Sequence, residues 1–252
     1  MRLTIIGSGT ISLSPTRGCA AYLVEAADLR ILFDVGPGAA QTMARHGMDW
    51  WGVTHIVLTH FHLDHIADLP TLLFAWRHAR LEPRSTPLTI VGPAGTQALL
   101  ARWAAALGDW MTAPGFPVEI IEPTLEIAVQ LTPDVTLTSR SVPHTAESVA
   151  YSVEHGGKRL VYTGDTGDDP SLGAWAAGCD VLLAECSLPD SMPVPIHLTP
   201  RETATLAATA APGMLVVTHM YPPLEGIDLR AEIGARWTGP TVIATDGLVL
   251  EC

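Results

Sequence analysis

The run Thr59-His60-Phe61-His62-Leu63-Asp64-His65 sets three imidazoles and a carboxylate within six residues, directly after the apolar segment Ile56-Val57-Leu58. A chain with this feature must end a buried strand in a short loop that aims several polar groups at one place. Neutral imidazole and carboxylate are ligands accepted by Zn²⁺ and its first-row neighbours. The segment therefore reads as a metal site, with ligands enough to face two adjacent ions.

Four further candidates stand at the borders of apolar runs: His144 after Val135–Arg140, Asp165 after Arg159–Tyr162, His219 after Met214–Val217, and His197 before a helix start. Open sheets with parallel strands gather chemistry at the carboxyl ends of those strands, so groups distant in sequence can meet at one edge. Taken singly, His144 or His219 reads as a hydrogen-bonded structural histidine. Taken with the six-residue cluster, both read as ligands.

The order H-x-H-x-D-H, an isolated histidine, Tyr162-Thr163-Gly164-Asp165-Thr166 and Val217-Thr218-His219 resembles the metallo-β-lactamase superfamily, with motifs running from the first strand to Asp246-Gly247. Within it, Leu182-Leu183-Ala184-Glu185-Cys186 and His197-Leu198-Thr199 resemble the ribonuclease Z and phosphodiesterase branch. The resemblance implies a four-layer αββα sandwich of α/β class, formed by residues 1–252 as one domain. It also implies a dinuclear centre of two Zn²⁺ ions, with Mn²⁺ or iron as substitutes. His60, His62 and His144 would hold one ion, Asp64, His65 and His219 the other, and Asp165 would bridge them. A hydroxide shared by the ions would be the nucleophile. Asp64, His197 and Glu185 would carry the catalytic roles, His197 acting on the leaving or equatorial oxygen and Glu185 orienting it.

Two departures from that branch bear on substrate. Its members carry a histidine before the glutamate, where this chain has Ala184. Its tRNA-processing members have a long arm between the isolated histidine and the bridging aspartate. Here the 20 residues between His144 and Asp165 are consumed by two strands and the Gly156-Gly157 turn. The net charge of −12, with only 14 Lys and Arg, argues against a large nucleic-acid footprint, which needs clustered cations. The leading expectation is a phosphodiesterase acting on a small or cyclic anionic ester. The alternatives are a ribonuclease Z-like tRNA 3′ endonuclease and a sulfate-ester or lactone hydrolase. An iron redox enzyme of this fold places a glutamate where His62 stands, and a silent binding module would not keep the full ligand set.

The chain is 48% hydrophobic and 16% charged, enough to bury a sizeable core. Cys19, Cys179, Cys186 and Cys252 are dispersed, which fits a reduced, cytoplasmic protein better than a disulfide framework. No run approaches the roughly 20 apolar residues of a membrane span. A homodimer is expected from the relatives, with Gly108 to Pro117 as a lid or interface loop.

Alternation and β-branched content predict strands at 2–6, 20–26, 29–34, 53–58, 87–91, 118–121, 134–140, 147–154, 158–163, 180–184, 214–217, 241–244 and 247–251. Helical patterns cover 38–46, 67–80, 94–107, 200–211 and, more weakly, 227–235. Thr199-Pro200-Arg201-Glu202 has the form of a capping box with proline at the first helical position. Asp34, in Asp34-Val35-Gly36, reads as a loop-supporting acceptor rather than a ligand. Gly7-Ser8-Gly9-Thr10 reads as a tight turn, since it lacks the lysine and spacing of a phosphate loop. His46, His55, His78 and His155 match no motif.

Overall fold

The computed structural model describes residues 1–252. The chain opens with β1 (Arg2–Gly7), β2 (Ala21–Ala26) and β3 (Leu29–Phe33), then α1 (Ala39–Arg45) and β4 (His55–Val57). Next come α2 (Leu63–Ile66), α3 (Leu69–His78), β5 (Leu88–Val91), α4 (Thr96–Leu107) and β6 (Val118–Ile121). The second half holds β7 (Val129–Thr132), β8 (Val135–Ser141), β9 (Val149–His155), β10 (Lys158–Tyr162), α5 (Pro170–Trp175) and β11 (Val181–Glu185). It closes with α6 (Pro200–Ala210), β12 (Met214–Thr218), α7 (Leu229–Gly234), β13 (Thr241–Ile243) and β14 (Val249–Glu251).

These strands make two seven-stranded sheets, ordered β14-β1-β2-β3-β4-β5-β6 and β13-β12-β11-β10-β9-β8-β7. Each is mixed: β3 to β6 run parallel in the first, and β10 to β13 in the second. Strand alternation explains the layering, because successive side chains point to opposite faces. Leu3, Ile5, Tyr22, Phe33, Tyr151, Leu160, Tyr162 and Leu183 fill the space between the sheets. Their neighbours Ile6, Leu23, Leu32 and Ile56 face outward under α1, α3 and α4, with Met43, Leu69, Leu73, Trp76 and Leu100. Val161, Leu182 and Leu215 do the same on the other side, under Leu172, Leu206, Ala207 and Ile233 of α5, α6 and α7. The result is the expected helix, sheet, sheet, helix sandwich.

Local signals hold where they are strong. Gly156 and Gly157 have φ of 60° and 75° and join β9 to β10 with His155 opposite Lys158, the two-residue hairpin that needs left-handed backbone at both positions. The capping box forms in full, Thr199 accepting from Glu202 N and Glu202 accepting from Thr199 N. Two features differ from expectation. The helix expected at 67–80 forms as α3, with Pro70 in its first turn, and the one-turn α2 stands apart before it, Asp68 N donating to Val35 O between the two. β7 and α5 were not anticipated. β7 is a four-residue edge strand with little buried apolar surface, and α5 is announced only by its Asp169 cap and Pro170.

The Gly108–Pro117 segment is not a lid. It sinks Met111 and Phe116 into the layer behind the first sheet, under Trp76. No helix is long and apolar enough to cross a membrane. All four cysteines are free.

Candidate metal centre

The carboxyl ends of the parallel strands share one edge of the sandwich, and the predicted residues arrive there from both sheets. Asp34 follows β3, and β4 leads into His60, His62, Asp64 and His65. From the second sheet come His144 after β8, Asp165 after β10, Glu185 at the end of β11 and His219 after β12. Val149 N donates to Thr59 O at 3.0 Å, stitching the two sheets together at this edge.

The groups fall into two sets. His60, His62, His144 and Asp165 place one ligand atom each within 4.8 Å of one another, and so do Asp64, His65 and His219. Asp165 lies between them. Its Oδ2 is 3.8 Å from His60 Nε2 and 3.7 Å from His144 Nε2, while its Oδ1 is 3.3 Å from His65 Nε2 and 3.4 Å from His219 Nε2. Asp64 Oδ2 lies 3.5 Å from His219 Nε2. His197 forms a third grouping with Asp165 and His219.

Ring orientation follows from what holds each Nδ1. His60 Nδ1 faces Thr59 Oγ1 at 3.0 Å, His65 Nδ1 faces Asp34 Oδ2 at 2.8 Å, His144 Nδ1 faces Ile196 O at 2.9 Å, and His219 Nδ1 faces Ser187 Oγ at 3.0 Å. Each oxygen can take the Nδ1 proton, which leaves the Nε2 lone pair directed inward. His62 is the exception, presenting Nδ1 at 3.0 Å from His144 Nε2.

Asp34 is the acceptor the sequence suggested, and its role is larger than a loop support. It accepts from Thr59 N, Thr59 Oγ1, His65 Nδ1 and, from the opposite sheet, Tyr162 OH. Asp34 and His219 both sit at positive φ, 52° and 55°, an arrangement that costs on the order of 1–3 kcal/mol for a non-glycine residue and clusters at functional sites. Gly36 completes the Asp-x-Gly turn for a steric reason. A Cβ there would lie 2.0 Å from Asp64 O, so only glycine lets α2 come this close.

Gly7 to Thr10 is not the tight turn expected but an irregular segment leaving β1, with Gly9 N donating to Gly18 O, and it supports the centre. Ser8 O accepts from Met220 N, and the next residue, Ile11, donates its N–H to Asp64 Oδ2 at 3.1 Å. Asp246 anchors this segment by accepting from Ser8 N, Ser8 Oγ and Gly18 N.

His197 Nδ1 is 3.1 Å from Glu185 Oε1 and 3.2 Å from Oε2. Glu185, fully buried, also accepts from Thr166 N, Leu198 N and Ser187 Oγ. Sequence reading gave no role to Ser187, Thr59 or Tyr162: the latter two stand at the starts of the quoted motifs, and Ser187 lies in none.

The donor set fits divalent cations. His60 Nε2 and Asp165 Oδ1 are buried without a hydrogen-bond partner, a costly state for groups aimed at one point. Burial, together with the His65 charge, holds His60 well below the usual histidine range, in the neutral form a metal binds. Burial also lowers His144. For Asp165 and Asp64, burial acts to raise the pKa, but the surrounding histidines outweigh it and both stay ionised. Burial would lower His65, yet Asp165 and Asp34 lift it well above its ordinary range. The pocket thus favours positive charge, which divalent ions would supply.

Two mixed sheets between helices, with paired histidine and carboxylate sets at their shared strand ends, define the class of metallo-β-lactamase-fold hydrolases. The chain belongs to the β-lactamase superfamily: residues 29–220 match the family model described as "Beta-lactamase superfamily domain". It is 31% identical over 246 residues to a protein named Ribonuclease Z from Mycobacterium sp. (strain KMS), covering 89% of this chain and 85% of that one. The metallo-beta-lactamase fold protein YhfI from Bacillus subtilis superposes with a TM-score of 0.87 at 22% identity, over 100% of this chain and 99% of that one. The short form of human tRNase Z gives 0.80 at 23% identity, over 100% and 99%.

Proposed function

We propose that the protein is a phosphodiesterase that uses two divalent metal ions, zinc by ligand type, to hydrolyse a small linear or cyclic phosphodiester. The observation that carries this reading is Asp165, whose two oxygens face separate histidine sets. His60, His62 and His144 would hold one ion, Asp64, His65 and His219 the other, with Asp165 common to both. When bound, such ions supply Lewis acidity and lower the pKa of coordinated water towards ~7.

The chain's own residues do the rest. Asp34, Thr59, Ile196 and Ser187 fix the histidine rings. His197, anchored through Nδ1 to Glu185, keeps its other ring nitrogen for substrate. Proton donation to a leaving oxygen by a positioned acid of this kind contributes roughly 10²–10⁴-fold.

The surroundings of the centre favour a small substrate. A cleft of about 580 Å³ starts where Met220 and Tyr221 leave His219, and Thr16, Arg17 and Arg230 also line it. It lies beside the centre, and no metal-set residue lines it. The residues between His144 and Asp165 form β9, β10 and their turn, with no protruding arm. The net charge of −12 also favours a small ester over a long polyanion. The ribonuclease Z reading stays as the alternative because of the 31% identity to the mycobacterial protein of that name.

Hydrolysis of bis(p-nitrophenyl) phosphate by zinc- and manganese-loaded protein tests the proposal, with a chelator control, the His197→Ala variant and a precursor tRNA run beside it. Chelator-sensitive turnover that collapses in the variant, with the tRNA left intact, is the expected result. Turnover of the tRNA alone would favour the alternative. Two bound metals with no diester turnover would overturn the phosphodiesterase reading and turn attention to sulfate esters and lactones.

A further inference from the structure

Ser187 is fully buried two residues beyond the end of β11, and its hydroxyl touches three groups of the centre. Oγ lies 2.5 Å from Glu185 Oε2, 3.0 Å from His219 Nδ1 and 3.4 Å from His197 Nδ1, and it is also 3.1 Å from His219 O. A hydroxyl has one proton and two lone pairs. The shortest contact is the one to Glu185 Oε2, so the hydroxyl proton goes to that oxygen. Oγ then accepts the Nδ1 proton of His219.

His219 Nδ1 has no other hydrogen-bond partner, and its backbone sits at φ 55°, outside the favoured regions for a non-glycine residue. The serine is itself held in place. Its N–H donates to Leu198 O at 2.8 Å, and its carbonyl accepts from Tyr221 N at 3.2 Å. These bonds bind the loop entering α6 to the loop leaving β12.

We infer that Ser187 is a positioning residue that ties the His219 ring to the Glu185–His197 pair, so that one buried carboxylate orients both the substrate-facing histidine and a metal-facing histidine. The inference rests on the metal-centre reading above. Glu185 keeps Thr166 N, Leu198 N and His197 when the hydroxyl is removed, whereas His219 Nδ1 loses its one partner. The effect of Ser187→Ala is therefore directed at one half of the centre.

The test is zinc binding to metal-free protein, measured by competition with a chromophoric chelator, for wild type, Ser187→Ala and Ser187→Thr. Thermal unfolding of the metal-free forms is recorded in parallel. The wild type is expected to take up two equivalents. Ser187→Ala should weaken one of them about 10–100-fold, the usual loss when the group orienting a ligand is removed, and leave the other at the wild-type value. Ser187→Thr, which keeps the hydroxyl, should restore affinity.

Unchanged affinities in Ser187→Ala would overturn the inference. So would equal weakening of both equivalents with a matching fall in metal-free stability, which marks a purely structural residue. A threonine variant that folds yet binds no better than alanine would also overturn it. A wild type that takes up no zinc would instead sink the metal-centre reading, and this inference with it.

Discussion

Tyr162 donates its hydroxyl to Asp34 at 2.8 Å, across the space between the sheets and 128 residues along the chain. Both are buried, Tyr162 packs against the rings of Tyr22 and Phe33, and the same Asp34 oxygen takes the His65 proton. The bond couples the inner face of the second sheet to a ligand loop of the first. Tyr162→Phe keeps the ring and removes only the donor. A buried hydrogen bond to a charged group is worth about 1.5–3 kcal/mol, and that loss is expected in the denaturant midpoint at unchanged slope. A shift near zero would mean that Asp34 is held by Thr59 and His65 alone.

Asp34→Asn probes the same hub from the other side. Asparagine has one acceptor oxygen at nearly the same volume, so it cannot accept from Thr59 N on one side and from His65 Nδ1 and Tyr162 OH on the other, and the ligand loop loses part of its anchor. Zinc affinity should fall about 10–100-fold, with a smaller effect on the half built from His60, His62 and His144. Titration with a chromophoric chelator separates the two halves.

Metal removal should be visible as stability. An ion that binds only the folded chain adds about 4.1 kcal/mol when free metal is 1,000 times its Kd. Calorimetry in buffered zinc should therefore show a Tm that climbs with free metal, and a chelator should reverse it. A Tm indifferent to zinc would count directly against the reading of the two histidine sets.

The capping box makes a prediction that depends on no metal. Thr199 caps α6 and closes the reciprocal pair with Glu202. Thr199→Ala is expected to cost about 1 kcal/mol in chemical denaturation, the common value for losing such a cap. Because His197 lies two residues before the cap, the variant should also lower turnover of a test diester more than it lowers metal content.

His55 supplies a pH dependence away from the centre. It is 8% exposed on β4, and burial lowers its pKa below 6.5. The unfolded chain then binds this proton more readily than the folded one. Stability from neutral His55 is thus present above the unfolded pKa and is lost as pH falls below it towards the folded value. In chelator, His55→Gln should flatten the difference in stability between pH 7.5 and 5.5, values taken on either side of the ordinary histidine range of about 6.5. An equally steep pH dependence in the variant would remove His55 as its source.

Much of the molecule was legible because the determining interactions are local. Near-continuous apolar runs along Leu3 to Ile6 and Leu160 to Tyr162 mark strands with two buried faces, Gly156-Gly157 marks a hairpin, and Thr199 to Glu202 marks a helix start, all within a few residues. The histidine cluster stands out for the same reason, since His60 to His65 are neighbours in sequence before they are neighbours in space. α2 was hidden inside that cluster, and edge strand β7 was hidden by its exposure.

The amino-acid order by itself determined the strand and helix periodicities, the turn chemistry and the candidate residues at the strand ends. Only the tertiary structure decided which groups meet. It placed Asp165 between two histidine sets, brought Tyr162 and His65 onto one oxygen of Asp34, set Ser187 between Glu185 and His219, and turned the Gly7 to Thr10 loop into a support for Asp64. Serine, threonine and tyrosine are common and carry no spacing rule. Their roles arise from contacts between segments tens to hundreds of residues apart, which exist only once the two sheets have packed.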